Sequence, residues 1–156
     1  MSLSSLSLKT HTMNLKETLT GIAQRYNYKM TEFADELFGL DISLKQQDGT
    51  YRYQYAYVRP QQAEGTRKKI YITSTCGVYN NSINFYNILK ENAYCNFTTI
   101  TIGSRKNKEG IPEEVIMVQA SPLEEFLTAE LLDYIIFEAA FNADYLEKTY
   151  FGGDAN

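Results

Sequence analysis

The chain has 156 residues, 44% of them hydrophobic, which is enough to bury one sizeable core and points to a single domain. It carries a formal net charge of −4, an acidic balance that disfavours a general phosphate-backbone binder, which needs clustered Lys and Arg. One histidine and two cysteines, Cys76 and Cys95, fit no metal-binding spacing, and two thiols in a chain of this size suit a reducing, cytoplasmic setting.

In chain order, residues 1–13 read as a disordered, Ser-rich tail without the features of a signal peptide. A single α+β domain is expected over 14–150, followed by a flexible C-terminus at 151–156. Asn14, with Glu17 three residues on, predicts a capped first helix from Leu15 to about Tyr28, buried along Leu15, Leu19, Ile22, Ala23 and Tyr26. Residues Thr31 to Glu36 read as a helical turn or a loop.

Asp48-Gly49 then signals a β-hairpin with a two-residue loop. That loop pairs Leu44 with Tyr53, Ile42 with Tyr55 and Leu40 with Tyr57. On this register Tyr51, Tyr53, Tyr55 and Tyr57 share the aliphatic, core-facing side, while Asp41, Ser43, Lys45, Arg52 and Gln54 face solvent. A third strand is expected over Lys68 to Thr75, and a short helix over Ile83 to Asn92, capped from within Asn80 to Ser82. A fourth strand follows at Phe97 to Ile102. The fifth, Val115 to Ala120, is apolar on both faces and so is expected to be central or covered. The expected order is α-β-β-β-α-β-β-α, an antiparallel five-stranded sheet with three helices.

The last helix, from about Thr128 to Thr149, has two apolar faces. Leu131, Leu132, Ile135, Ile136, Ala139, Ala143 and Leu146 form one stripe, sufficient to dock it on its own domain. Tyr134, Phe137, Phe141 and Tyr145 form a second, with Glu130, Asp133, Glu138, Asp144 and Glu147 expected around it. A helix that needs one buried face does not usually carry four large rings on the other. These rings are the expected partner-binding surface.

Catalytic patterns are sparse. The only histidine, His11, sits in the expected tail, which removes histidine-based nucleophilic dyads and triads. There is no Gly-rich phosphate loop. The pairs Glu113-Glu114 and Glu124-Glu125 lie in loops or at helix starts, where carboxylates are usually solvated. No enzyme activity, cofactor or metal is expected, and no run is long enough to cross a membrane as a helix. Two basic clusters, Arg67-Lys68-Lys69 and Arg105-Lys106-Asn107-Lys108, leave one alternative, a single-stranded nucleic-acid binder using the Tyr-rich strand. With the tyrosines read inward, no nucleic-acid partner is expected. A small enzyme with a carboxylate-based site is the other alternative.

The segments NSINFYNILKENAYCNFTTITIG (81–103) and EEVIMVQASPLEEFLTAELLDYIIFEAAFNADYLEK (113–148) carry a resemblance in element order. They resemble the type III secretion chaperone-like fold, most nearly its YbjN-type branch and related cyanobacterial families of unknown function. The resemblance implies a small acidic homodimer without catalytic activity that binds a client protein. It also implies a dimer seam at the short helix, around Ile83, Tyr86 and Tyr94.

Overall fold

The computed structural model describes residues 12–152. Most of the expected N-terminal tail, His11 included, and residues 153–156 of the expected flexible C-terminus lie outside the described residues. Within them, Met13 and Phe151 pack against the core, so the folded unit reaches slightly past both expected limits.

The architecture is α+β, with three α-helices and a six-stranded antiparallel sheet rather than the five strands expected. The elements are α1 (Leu15–Tyr26), β1 (Lys29–Ala34), β2 (Leu37–Lys45), β3 (Tyr51–Gln62), β4 (Lys68–Val78), α2 (Phe85–Lys90), β5 (Thr99–Lys106), β6 (Pro112–Ala120) and α3 (Ala129–Tyr150). Short 3-10 turns follow α2 at Glu91–Tyr94 and precede α3 at Glu124–Phe126. Strand order across the sheet is β1-β2-β3-β4-β6-β5, which makes β6 an inner strand.

The added strand is β1. Residues 29–34 alternate too weakly to announce a strand, and it is pairing with β2 that makes one: Met30 stands opposite Leu40 and Thr31 opposite Gly39. A turn with Glu36 in the left-handed region joins the two strands. Helix α1 starts as its sequence indicates, with the Asn14 side chain accepting from the Glu17 N–H. Thr128 caps α3 in the same way through the Leu131 N–H. The short helix is capped by Asn84, later than expected.

The main departure is the β2–β3 register. Gln46 donates its N–H to Thr50 O, and Gly49 donates to Gln46 O. The loop is therefore Gln47-Asp48-Gly49, three residues rather than two, with Gly49 at φ +85°. Asp48 locks it by accepting from both the N–H and the hydroxyl of Thr50. One extra loop residue moves every partner by one position. Leu44 stands opposite Arg52, Ile42 opposite Gln54 and Leu40 opposite Ala56. Side chains alternate strictly along a strand, so the shift carries all four tyrosines to the face opposite the aliphatic residues. Arg52 and Gln54 cross the other way, into the packed side.

All helices cover that packed side. Leu40, Ile42, Leu44, Ala56, Val58, Ile70, Ile72, Ile116 and Val118 form its buried floor. Helix α3 lies across β3, β4 and β6, burying Leu132, Ile135, Ile136, Ala139, Ala143 and Leu146 as its first stripe predicts. Its end is fixed where the Phe151 ring lies against Gly77, a place that a side chain at 77 would occupy. No described element lies over the opposite face of the sheet.

Candidate functional site

Two aromatic surfaces remain open, one on α3 and one on the sheet. The α3 surface is built from positions 134, 137, 141 and 145, spaced three and four apart and so aligned along the outer side of the helix. Tyr134, Phe137, Phe141 and Tyr145 are each between 41% and 54% exposed. The Phe137 and Phe141 rings stack, with centroids 6.0 Å apart and planes 24° from parallel. At the N-terminal end of the row, Phe97 and Tyr134 meet edge to face, with ring centroids 5.6 Å apart. The Tyr134 hydroxyl accepts from Asn96 Nδ2 at 3.0 Å.

Phe97 is held there by Glu138. This buried carboxylate accepts from the N–H groups of Asn96, Phe97 and Thr98 at 2.8, 2.9 and 2.9 Å. Its charge is spent on satisfying three backbone donors at the start of β5. Asp144 and Glu147 are buried too, and face the sheet. Arg52 Nε meets Asp144 Oδ1 at 2.5 Å, and its Nη2 lies 3.8 Å from Glu147. Lys148 reaches the other Asp144 oxygen at 2.9 Å. Three of the five acids expected around the ring surface are thus internal structural groups. Glu130, one turn before Tyr134, remains on the side of the row, while Asp133 lies close enough to Tyr28 to add to the rise that burial gives its hydroxyl's pKa.

Beside the C-terminal half of the row lies a cleft of about 390 Å³, lined by Tyr94, Cys95, Phe141, Asn142, Tyr145 and Glu91. Burial pushes the Cys95 thiol up, a hydrogen bond with Thr98 opposes this, and the Glu138 and Glu91 charges add to the rise. A raised thiol is the reverse of what a nucleophilic cysteine needs. Of the residues expected at a dimer seam, Tyr94 is exposed and joins this cleft. Tyr86 is open on α2, with the Lys90 ammonium 4.6 Å above its ring. Ile83 does not share their exposure, because it packs against the core.

The second surface is the uncovered face of the sheet, which carries the β3 tyrosines. Tyr51 is 56% exposed and Tyr53 66%. Tyr55, Tyr57 and Phe33 cluster with ring centroids 5.1 to 6.1 Å apart. Gly39 of β2 makes room for them, since a side chain there would meet the rings of Tyr55 and Phe33. Toward the far end of β3, the Arg59 guanidinium lies 5.5 Å from the centre of the Tyr71 ring. The expectation that these tyrosines face the core is corrected by the hairpin register. Their outward placement follows from the register that brings Arg52 to the acids of α3.

The two basic clusters separate. Arg67 pairs with Glu125 and lies by Phe126, Arg105 pairs with Glu113, and Lys69 takes a place on the open sheet face. Among the described residues, no group of three or more His, Cys, Asp or Glu side chains is placed to hold a metal ion. Both cysteines are free thiols, and burial raises Cys76 well above its ordinary range. No described helix is long and apolar enough to cross a membrane. No protein-family model matches the chain, and no curated protein matches it significantly.

Proposed function

We propose that the chain is a non-enzymatic protein-binding module, chaperone-like or regulatory, that works as a homodimer through the outer face of α3. The observation that carries this reading is the exposed row Tyr134, Phe137, Phe141, Tyr145 on a helix whose other stripe already docks it. A row of large rings left in water has a standing drive to be covered. The order of the row, Tyr-Phe-Phe-Tyr, reads the same in both directions. An isologous two-fold contact makes each pairing twice, residue i on j and j on i, so this order lets like rings meet. Two antiparallel α3 helices place Phe137 against Phe141 of the other copy, and Tyr134 against Tyr145. The same arrangement brings the acidic end at Glu130 toward the basic end at Lys148.

The secretion chaperone-like assignment rests on element order and now includes one added strand, β1. It favours a client protein as the second partner, with the cleft at Tyr94 and Cys95 as a place for an apolar client side chain beside the dimer seam. Two free thiols suit a cytoplasmic setting. The test is Phe141→Asp. The variant should keep the wild-type far-UV circular dichroism and lose self-association. Loss of the fold itself would make Phe141 a core residue and end this reading.

A further inference from the structure

We propose that the open face of the sheet binds single-stranded nucleic acid, with bases stacking on the β3 tyrosines and phosphates held by the cations around them. This surface shares no residue with the α3 row.

The first argument is geometric. Alternate residues of a strand stand about 6.5–7 Å apart on one face. Tyr51, Tyr53, Tyr55 and Tyr57 therefore form a regular row of rings along the middle of the sheet, with Tyr51 and Tyr53 more than half exposed. A row of this kind suits unstacked bases, because every base has a face to lay on a ring.

The second argument is charge. The protein is acidic overall, yet this face is not. Following the pairings across the sheet, Lys29, Lys45, Arg59, Lys69 and Arg105 point to the open side, against Asp41 and Glu113. Glu113 is taken up by Arg105. Lys45 stands directly opposite Tyr51 at one end of the row. Arg59 and Lys69 lie toward the other end, Arg59 against Tyr71. Cations at both ends of an aromatic row match a polyanion lying along it. The acids that make the chain acidic are elsewhere, several of them buried under the sheet at α3. The same charge argues against a second copy as the occupant, because packing two such faces together opposes like charges.

The ligand class follows from what is missing as well. The row offers ring faces and phenol hydroxyls, and no groove-entering helix, so it suits strands over duplexes and has little basis for reading sequence.

The experiment is fluorescence anisotropy of a labelled oligouridine of about 15 nucleotides with the full chain, at low and at physiological salt. Micromolar binding that weakens steeply with salt is expected. The double variant Tyr51→Ala/Tyr53→Ala should weaken it by about tenfold or more, while Tyr53→Phe, which keeps the ring, should bind like wild type. Both sites are exposed, so the variants should keep the wild-type circular dichroism, which is recorded beside the binding. Phe141→Asp should leave the per-chain affinity unchanged, which separates this surface from the α3 row. Absence of binding, equal binding of duplex, or indifference to the double variant overturns the proposal. So does a double variant that changes the protein's solution mass, which would make the face a contact between copies.

Discussion

Arg52 of β3 and Asp144 of α3 meet beneath the sheet, Nε to Oδ1 at 2.5 Å, and this pair ties the hairpin register to the last helix. Asp144 is almost fully buried and Arg52 largely so. Because side chains alternate along β3, placing Arg52 under the helix places Tyr51 and Tyr53 on the opposite, open face. One buried ion pair thus decides which way an aromatic strand points.

Asp144 holds both Arg52 and Lys148, and Arg52 also lies by the buried Glu147, so removing Asp144 unbalances a buried charge network. Asp144→Ala should therefore cost about 3 kcal/mol, read from the urea midpoint. The double variant Arg52→Leu/Asp144→Leu should lose less than the two single losses summed, because the two groups interact directly, while the loss of Arg52 from Glu147 keeps it below wild type. Additive losses in the double variant would show that the pair is not what links strand to helix.

Glu138 is a second buried acid with a structural task. Glu138→Gln can present only one acceptor oxygen to the three N–H groups of Asn96, Phe97 and Thr98. A loss of about 2 kcal/mol is expected, with faster hydrogen exchange at those three amides. The Phe97–Tyr134 contact should loosen with them. Unchanged exchange at 96–98 would contradict the role given to Glu138.

The two thiols should behave differently. Cys95 lines an open cleft and should react with a maleimide slowly in the native protein, whereas Cys76 should react only on unfolding. Cys76 also has a pH signature. Burial first, then the Glu147 and Cys95 charges, hold its folded thiol above the ordinary thiol value of 9.0. Its contribution is intact below that unfolded value. As pH rises above 9.0, the unfolded chain releases a proton that the folded chain keeps, so stability falls by about 1.4 kcal/mol per pH unit from this group. Comparing wild type with Cys76→Ala above pH 9.0 should isolate that slope.

At the hairpin the sign is reversed. The Thr50 hydroxyl, followed by its N–H, holds the Asp48 carboxyl below its ordinary value. This support is present above the unfolded carboxyl's pKa and is lost as pH falls through the lowered folded one. Acid titration of Asp48 by NMR should show a midpoint under the usual carboxylate range, returning toward it in Thr50→Val. Deleting Gln47 leaves Asp48-Gly49 as a two-residue loop between Gln46 and Thr50, so the variant should fold with the same β2–β3 partners, Leu44 still opposite Arg52.

Much of the architecture was legible because local chemistry and burial agree. The Asn14 and Thr128 caps, the docking stripe of α3 and the inner position of β6 all follow from residues a few places apart. The β2–β3 register was not legible, because Asp48-Gly49 suits a two- or a three-residue loop equally well. The choice is made far away, by the acids of α3 that receive Arg52. For the same reason Glu138, Asp144 and Glu147 look like surface charge on a helical wheel. Their partners, backbone N–H groups and an arginine 92 residues distant, are supplied only by the fold. The outer ring row of α3 needs no distant partner to be recognised, and its period alone marks it.

The most direct measurement is the solution mass of the wild-type chain by light scattering after size exclusion, over a range of concentrations. Pairing through α3 predicts twice the chain's 17.9 kDa, falling to the single-chain mass in Phe141→Asp. A wild-type protein that stays at the single-chain mass at the highest concentrations would contradict it.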